Sequence, residues 1–269
     1  MPSVSLTPTL RQEYADLFNT CSIRPERAQA VEAIISRLNA NARHYRDVGD
    51  PLGIPWFFVA VVHCMEASLD FSRHLHNGDP LTGRTVQVPA GRPKSGAPPF
   101  KWEESARDAL SLKGLGGQTD WSLAGTLYQL ERYNGWGYRL FHPHVPSPYL
   151  WSFANHYKSG KYVADGTWSE TAVSKQCGAA AVLRRMAESR EIEFSDQPAP
   201  APEAAPLVVN HSMKKSRDPA IVARAEELQR WLNTFPGVFV KVDGVPGNRT
   251  SEAYRQVTGS YLPGDPRGD

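Results

Sequence analysis

Cysteine is scarce in this chain. Its 269 residues include three, Cys21, Cys64 and Cys177. An odd, sparse set without Cys-x-x-Cys spacing excludes a disulfide framework and a zinc ribbon as the basis of the fold. Cys64 and Cys177 fall in apolar helical patterns and read as small core residues. Apolar runs of about 18 residues are missing too, so no membrane span is expected. Charge of either sign is nearly balanced, with 30 Lys and Arg against 28 Asp and Glu for a net +2. No basic run with interleaved aromatics occurs, which removes the usual signature of a nucleic-acid partner. Mild basicity suits an anionic surface such as a bacterial wall. Met1-Pro2-Ser3-Val4-Ser5 lacks a basic region followed by an apolar core, so no secretory signal is expected.

What the chain does have is the composition of a globular protein, 41% hydrophobic and 22% charged, enough to bury a core without covalent staples. Its clearest internal boundary is the Pro/Ala stretch Pro198–Pro206, which reads as an extended linker within residues 195–216. This predicts a body over 1–194 and a tail over 217–269.

The body reads as mostly helical. Leu10, Tyr14, Leu17 and Phe18 mark a first amphipathic helix. Pro25 opens a second, with Ala28, Val31, Ile34, Ile35 and Leu38 at helical spacing. Pro55 opens a third that runs to about Ser68. Thr85-Val86-Gln87-Val88 alternates like a strand in a short hairpin or irregular loop. Helical spacing returns over Glu103–Leu112, then after a cap at Thr119 or Asp120 with Leu123, Leu127 and Leu130, and last over Glu170–Glu188. In the tail, Asp218-Pro219 starts a helix. Val238–Val242 is strand-like, Asp243–Asn248 a turn, and Thr250-Ser251 caps a short helix.

The most informative residue is Glu66. It ends the most apolar stretch of the sequence, Ile54–Met65, and Val59, Val62, His63 and Glu66 share a helical face. Burial disfavours the charged form of a carboxylate, so such a position suits an acid that keeps its proton near neutral pH and delivers it to a leaving group. Cleavage of a glycosidic bond pairs that acid with a second carboxylate about 5 to 9.5 Å away. Asp70 and Asp79 are the neighbouring candidates. His63, His74 and His76 crowd the same region; lacking a zinc-protease spacing, they read as groups that shape a polar cleft rather than as metal ligands. Tyr133 and Asn134 end a helix and are candidates for the cleft wall. Trp151 and Tyr157, in an aromatic-rich segment, are candidates for stacking on sugar rings.

These residues give the body a resemblance to the lysozyme-like superfamily, specifically goose-type lysozymes and soluble lytic transglycosylases. The markers are Glu66-Ala67-Ser68, where the family more often has Glu-Ser directly, and Tyr133-Asn134-Gly135. Asp79 lies where goose-type enzymes carry an aspartate after the glutamate. The resemblance implies a mostly α, lysozyme-like α+β domain with a small hairpin. It also implies a peptidoglycan glycosidase with Glu66 and Asp79 catalytic, and with Ser68, His74, His76, Tyr133, Asn134, Trp151 and Tyr157 at the substrate. The tail resembles a small helical peptidoglycan-binding domain through Leu228-Gln229, Val242-Asp243-Gly244, Gly247, Thr250 and Ala253, which implies wall contacts by Asp243, Gly244, Asn248 and Thr250. A tethered wall-binding module would raise the local concentration of substrate.

The expectation is therefore a monomeric muramidase that cuts the β-1,4 bond between N-acetylmuramic acid and N-acetylglucosamine. It would need no cofactor and no metal, and glycan strands of peptidoglycan would be its partner, with neither nucleic acid nor membrane. Release through a membrane lesion, as for an endolysin, or delivery by a secretion machine would bring it to the wall. A lytic transglycosylase, a chitinase- or chitosanase-like hydrolase, and a non-catalytic wall-binding or phage structural protein are the alternatives.

Overall fold

The computed structural model describes residues 4–164, 166–196 and 209–268. In chain order the helices are α1 (Pro8–Asn19), α2 (Ala28–Ala40), α3 (Ala42–Gly49), α4 (Trp56–Ala67), α5 (Trp102–Leu112), α6 (Leu123–Asn134), α7 (Gly137–Phe141) and α8 (Pro148–Trp151). Strands β1 (Lys161–Ala164) and β2 (Thr167–Ser169) follow, then α9 (Ala179–Glu188), α10 (Pro219–Leu232) and α11 (Asn248–Thr258). The described residues are thus mostly helical, with one two-stranded antiparallel sheet in which Lys161 faces Ser169 and Tyr162 faces Trp168.

Two compact units divide the chain: Met1–Leu6 with Ile23–Leu183, and Thr7–Ser22 with Arg184–Asp269. The division departs from the one expected. Helix α1, read as part of the body, belongs to the second unit, where Arg184 Nη1 donates to the carbonyls of Phe18 and Asn19. The Phe18 ring meets Phe194 and Phe239 edge-on there. The Pro/Ala stretch Pro198–Pro206 lies outside the described residues. Residues 209–212, counted with the linker, are packed: Val209 is buried in the core of the second unit, and the amides of His211 and Ser212 donate to Pro263 and Pro246 carbonyls.

The first unit is organised around α4. A helix apolar on every side has to be buried on every side. Phe57 to Met65 and Ala67 are all buried, with α2, α3 and α6 packed around them. Each buried Phe, Val and Met among them contributes about 1.5–3 kcal/mol relative to exposure. The helix stops at Ser68, whose φ of 52° is left-handed, and the next residue, Leu69, has φ 62°. This double turn swings the chain out of the core directly after Glu66.

In several places side chains take hydrogen bonds that a strand or helix would otherwise use. Of the two forms expected for Thr85–Val88 the structure has the irregular loop, in which the Val86 and Gln87 amides donate to the Asp79 carboxylate at 2.8 and 3.1 Å. Val238–Val242 forms no strand, since the Asn233 amide closes on both the N–H and the carbonyl of Val240. The cap of α6 is Ser122, whose Oγ accepts from Gly125 N at 3.0 Å, while Asp120 accepts from Ser122 N. The last helix of the body starts at Ala179 rather than Glu170. Gly178 is pressed so closely on α8 that a Cβ there would lie 2.3 Å from the Leu150 carbonyl oxygen.

The second unit has its own core of Val209, Leu228, Leu232, Phe235, Val238, Val240, Ala253, Val257 and Leu262. Gln229, buried within α10, ties its loops together. Its Oε1 accepts from the amides of Asp243 and Gly244, and its Nε2 donates to Asp243 Oδ1, Val245 O and Thr250 Oγ1.

Candidate active site

Glu66 sits in the last turn of α4, part-exposed among buried neighbours. Tyr149, on α8, donates its hydroxyl to Glu66 Oε1 at 2.9 Å. Among the described residues Glu66 forms no ion pair. Burial pushes its carboxyl above the ordinary value of 4.5, and outweighs the Tyr149 hydrogen bond and the Lys113 charge, both of which favour ionisation. The negative end of the helix dipole acts in the same direction as burial. Lys113 is anchored nearby by Tyr133: its ammonium donates to the Tyr133 carbonyl at 3.3 Å and sits 4.6 Å from the ring centroid.

Beside this acid opens a cavity of about 330 Å³, lined by Asn134, Gly135, Gly137, Tyr138, Pro148, Tyr149, Lys161, Tyr162, Ser174 and Gln176. Two of these residues join it to the end of α4. Tyr149 holds the Glu66 carboxyl, and Gln176 Nε2 donates to the Met65 carbonyl at 2.7 Å. The β1–β2 hairpin supplies Lys161 and Tyr162, the residue after α6 supplies Gly135, and the start of α7 supplies Gly137.

The two candidates for a second carboxylate are held differently. Asp70 is capped on both oxygens, Oδ1 by Ser72 N and Oγ and Oδ2 by Arg73 Nε at 3.0 Å. Asp79 takes all three of its side-chain hydrogen bonds on Oδ2, from Val86 N, Gln87 N and Asn77 Nδ2. Those donors, the two amides first, hold its carboxyl below the ordinary 3.8. Asp79 follows Gly78, where a Cβ would lie 3.5 Å from the Glu66 carbonyl oxygen. The turn therefore brings the backbone at residue 78 against the end of α4, and the Asp79 carboxylate that follows is held by the residue 86–87 loop, with Oδ1 carrying no hydrogen bond among the described residues.

Most of the other residues expected at the substrate are placed elsewhere, Asn134 excepted. Asn134 is exposed and lines the cavity, and Ser68 is exposed at the end of α4. Tyr133 is buried and donates to the Leu75 carbonyl, so it supports the site from beneath and offers no ring face. Trp151 and Tyr157, 2% and 1% exposed, are core residues; the Tyr157 hydroxyl donates to the Gly160 carbonyl and accepts from the Ser174 amide. Aromatic character alone did not separate them from Tyr138 and Tyr162, which do line the cavity.

His74 and His76 are buried with their ring nitrogens engaged inside the protein. His74 Nε2 donates to the Gly83 carbonyl, which leaves Nδ1 to accept from Ser105 Oγ at 2.7 Å. His76 Nε2 bonds Asp108, itself gripped by Arg92 through two hydrogen bonds of 2.8 Å. Ser105 Oγ also lies 3.5 Å from His76 Nδ1, but its proton goes to His74 and it is fully buried, so Ser105, His76 and Asp108 do not work as a nucleophilic triad. His63 is enclosed by Phe71 and Trp102, and burial lowers its pKa to about 4.

In the second unit the residues expected to touch wall are largely structural. Asp243, Gly244 and Thr250 are the partners of Gln229, and Thr250 is buried. Asn248 is exposed and pairs with His211 Nε2 at 2.9 Å. The Leu-Gln and Asp-Gly residues that suggested binding build the loop instead.

Comparison with protein-family models, curated proteins and solved structures returns no match for this chain.

Proposed function

We propose that the first unit is a peptidoglycan-cleaving glycosidase of lysozyme-like type and that the second unit anchors it to the wall. One observation carries the reading. A single carboxyl is kept towards its neutral form at the end of an apolar helix, is oriented by a tyrosine hydroxyl, and adjoins an open cavity lined by Tyr138, Tyr162 and Asn134. In this scheme Glu66 protonates the leaving oxygen of the β-1,4 bond between N-acetylmuramic acid and N-acetylglucosamine. Asp79, ionised and with one oxygen uncommitted, orients the attacking water or stabilises positive charge at the anomeric carbon. Tyr149 holds the acid in line with the bond.

Glu66→Gln replaces the acid by an isostere that has no proton to give. Turbidity clearing of purified wall should be abolished while thermal unfolding stays cooperative. Clearing by the Gln variant at wild-type rate would refute the assignment. Asp79→Asn tests the water. A slower hydrolysis is expected, whereas an unchanged rate with 1,6-anhydro ends on mass spectrometry would mean that the muramic 6-hydroxyl attacks and that the enzyme is a lytic transglycosylase.

A further inference from the structure

The cavity beside Glu66 has a lopsided charge. Of its ten lining residues only Lys161 is charged; none is acidic. Among the described residues the Lys161 ammonium has no hydrogen bond and no ion pair. The neighbouring acid, Glu170, is turned to Trp168 Nε1 and His144. Among the other polar groups of the lining, Gln176 Nε2 donates to the Met65 carbonyl, and Tyr138 Oη accepts from the Tyr162 amide while keeping its own proton. Asn134 and the Tyr162 hydroxyl remain, neutral groups suited to the hydroxyls and acetamido arms of a sugar. A neutral glycan would satisfy these and leave the ammonium facing an empty counter-charge. A carboxylate would satisfy it, by a charge-assisted bond stronger than a neutral one.

We infer that this cavity is a subsite for an acidic sugar and that Lys161 is the residue that recognises its carboxylate. The inference rests on the glycosidase reading above and narrows it, making Lys161 the element that favours wall glycan over chitin. In peptidoglycan the carboxylate has two sources. A peptide-free muramic residue carries it on the lactyl arm. Where a stem peptide is attached the lactyl group is an amide, and the peptide itself brings the carboxylates.

The test uses the full chain with Glu66→Gln, so that ligands are bound and not consumed, with and without Lys161→Ala or Lys161→Arg. Calorimetry would compare three probes: chitotetraose, a peptide-free tetrasaccharide of alternating N-acetylglucosamine and N-acetylmuramic acid, and the same tetrasaccharide bearing stem peptides. Lys161→Ala should weaken at least one acidic probe by about tenfold or more and leave chitotetraose within about twofold, and Lys161→Arg should restore most of the loss. Loss with the peptide-free probe assigns the lactyl carboxylate; loss confined to the peptide-bearing probe assigns the peptide. Equal weakening of acidic and neutral probes, no change with either acidic probe, or no measurable binding of the acidic probes would each overturn the inference. Should wild-type protein fail to cleave wall while acidic probes still bind in a Lys161-dependent way, the subsite stands and the glycosidase reading falls.

Discussion

Tyr149 Oη and Glu66 Oε1 are 2.9 Å apart, although 83 positions separate them in the chain. The hydroxyl can donate to either form of the carboxyl but bonds the ionised form more strongly. It therefore opposes burial, and the two together set where Glu66 titrates.

Tyr149→Phe keeps the packing and removes the donor. Losing a bond that favours the anion raises the Glu66 pKa further. In the proposed glycosidase reading Glu66 acts only while protonated, so activity should fall as pH rises through that pKa, and the alkaline limb of the pH–rate profile should move to higher pH. The looser carboxyl should also slow the pH-independent rate by roughly tenfold. A limb that stays put or moves to lower pH would contradict this account.

Glu66 also leaves a signature in stability. Its folded pKa lies above 4.5, so the folded state holds the proton more tightly than the unfolded state. Stability linked to this group is complete below 4.5 and is lost as pH rises through the folded pKa. Glu66→Gln carries no such dependence. The melting temperature of the variant, minus that of wild type, should therefore grow between about pH 4 and pH 8. A difference that shrinks across the same range would show that the carboxyl is not disfavoured as an anion.

For Asp79 the sign is opposite. Its folded pKa is depressed below 3.8, so its contribution is present above that value and is lost as pH falls through the folded pKa. The carboxyl carbon, followed by NMR, should titrate below 3.8, and the amide signals of Val86 and Gln87 should move with the same midpoint. Amide signals that ignore the titration would remove the clamp.

Gln229→Ala should destabilise the second unit by about 2–4 kcal/mol, because truncation leaves buried donors without acceptors. The Asp243 and Gly244 amides lose their shared oxygen, and Thr250 loses a partner. Urea unfolding followed by Trp231 fluorescence would read this. A loss under about 0.5 kcal/mol would mean that water replaces the side chain.

The sequence made some of this legible and hid the rest for identifiable reasons. Helices α2, α4, α5, α6 and α10 announce themselves by spacing, and Glu66 by its place after an unbroken apolar run. Short helices such as α7 and α8 offer too few turns for a period to show. Asp79 was visible as a candidate, but the amides that hold it come from residues 86 and 87, whose alternation imitates a strand. Gln176 and Lys161 reach the site through long-range packing that no local pattern encodes. In the second unit Asp243 and Gly244, expected at the wall, are hydrogen-bond partners of Gln229, which the pattern carried only as part of the resemblance.

The placement of α1 bears on how this protein could be recombined with others. Since α1 packs with Arg184, Phe194 and Phe239, the second unit is stitched from two separate segments, Thr7–Ser22 and Arg184–Asp269. Transplanting residues 184–269 alone as a contiguous cassette would strand those aromatic rings without Phe18. A stable graft must carry residues 7–22 as well, and deleting them would injure the fold of residues 184–269.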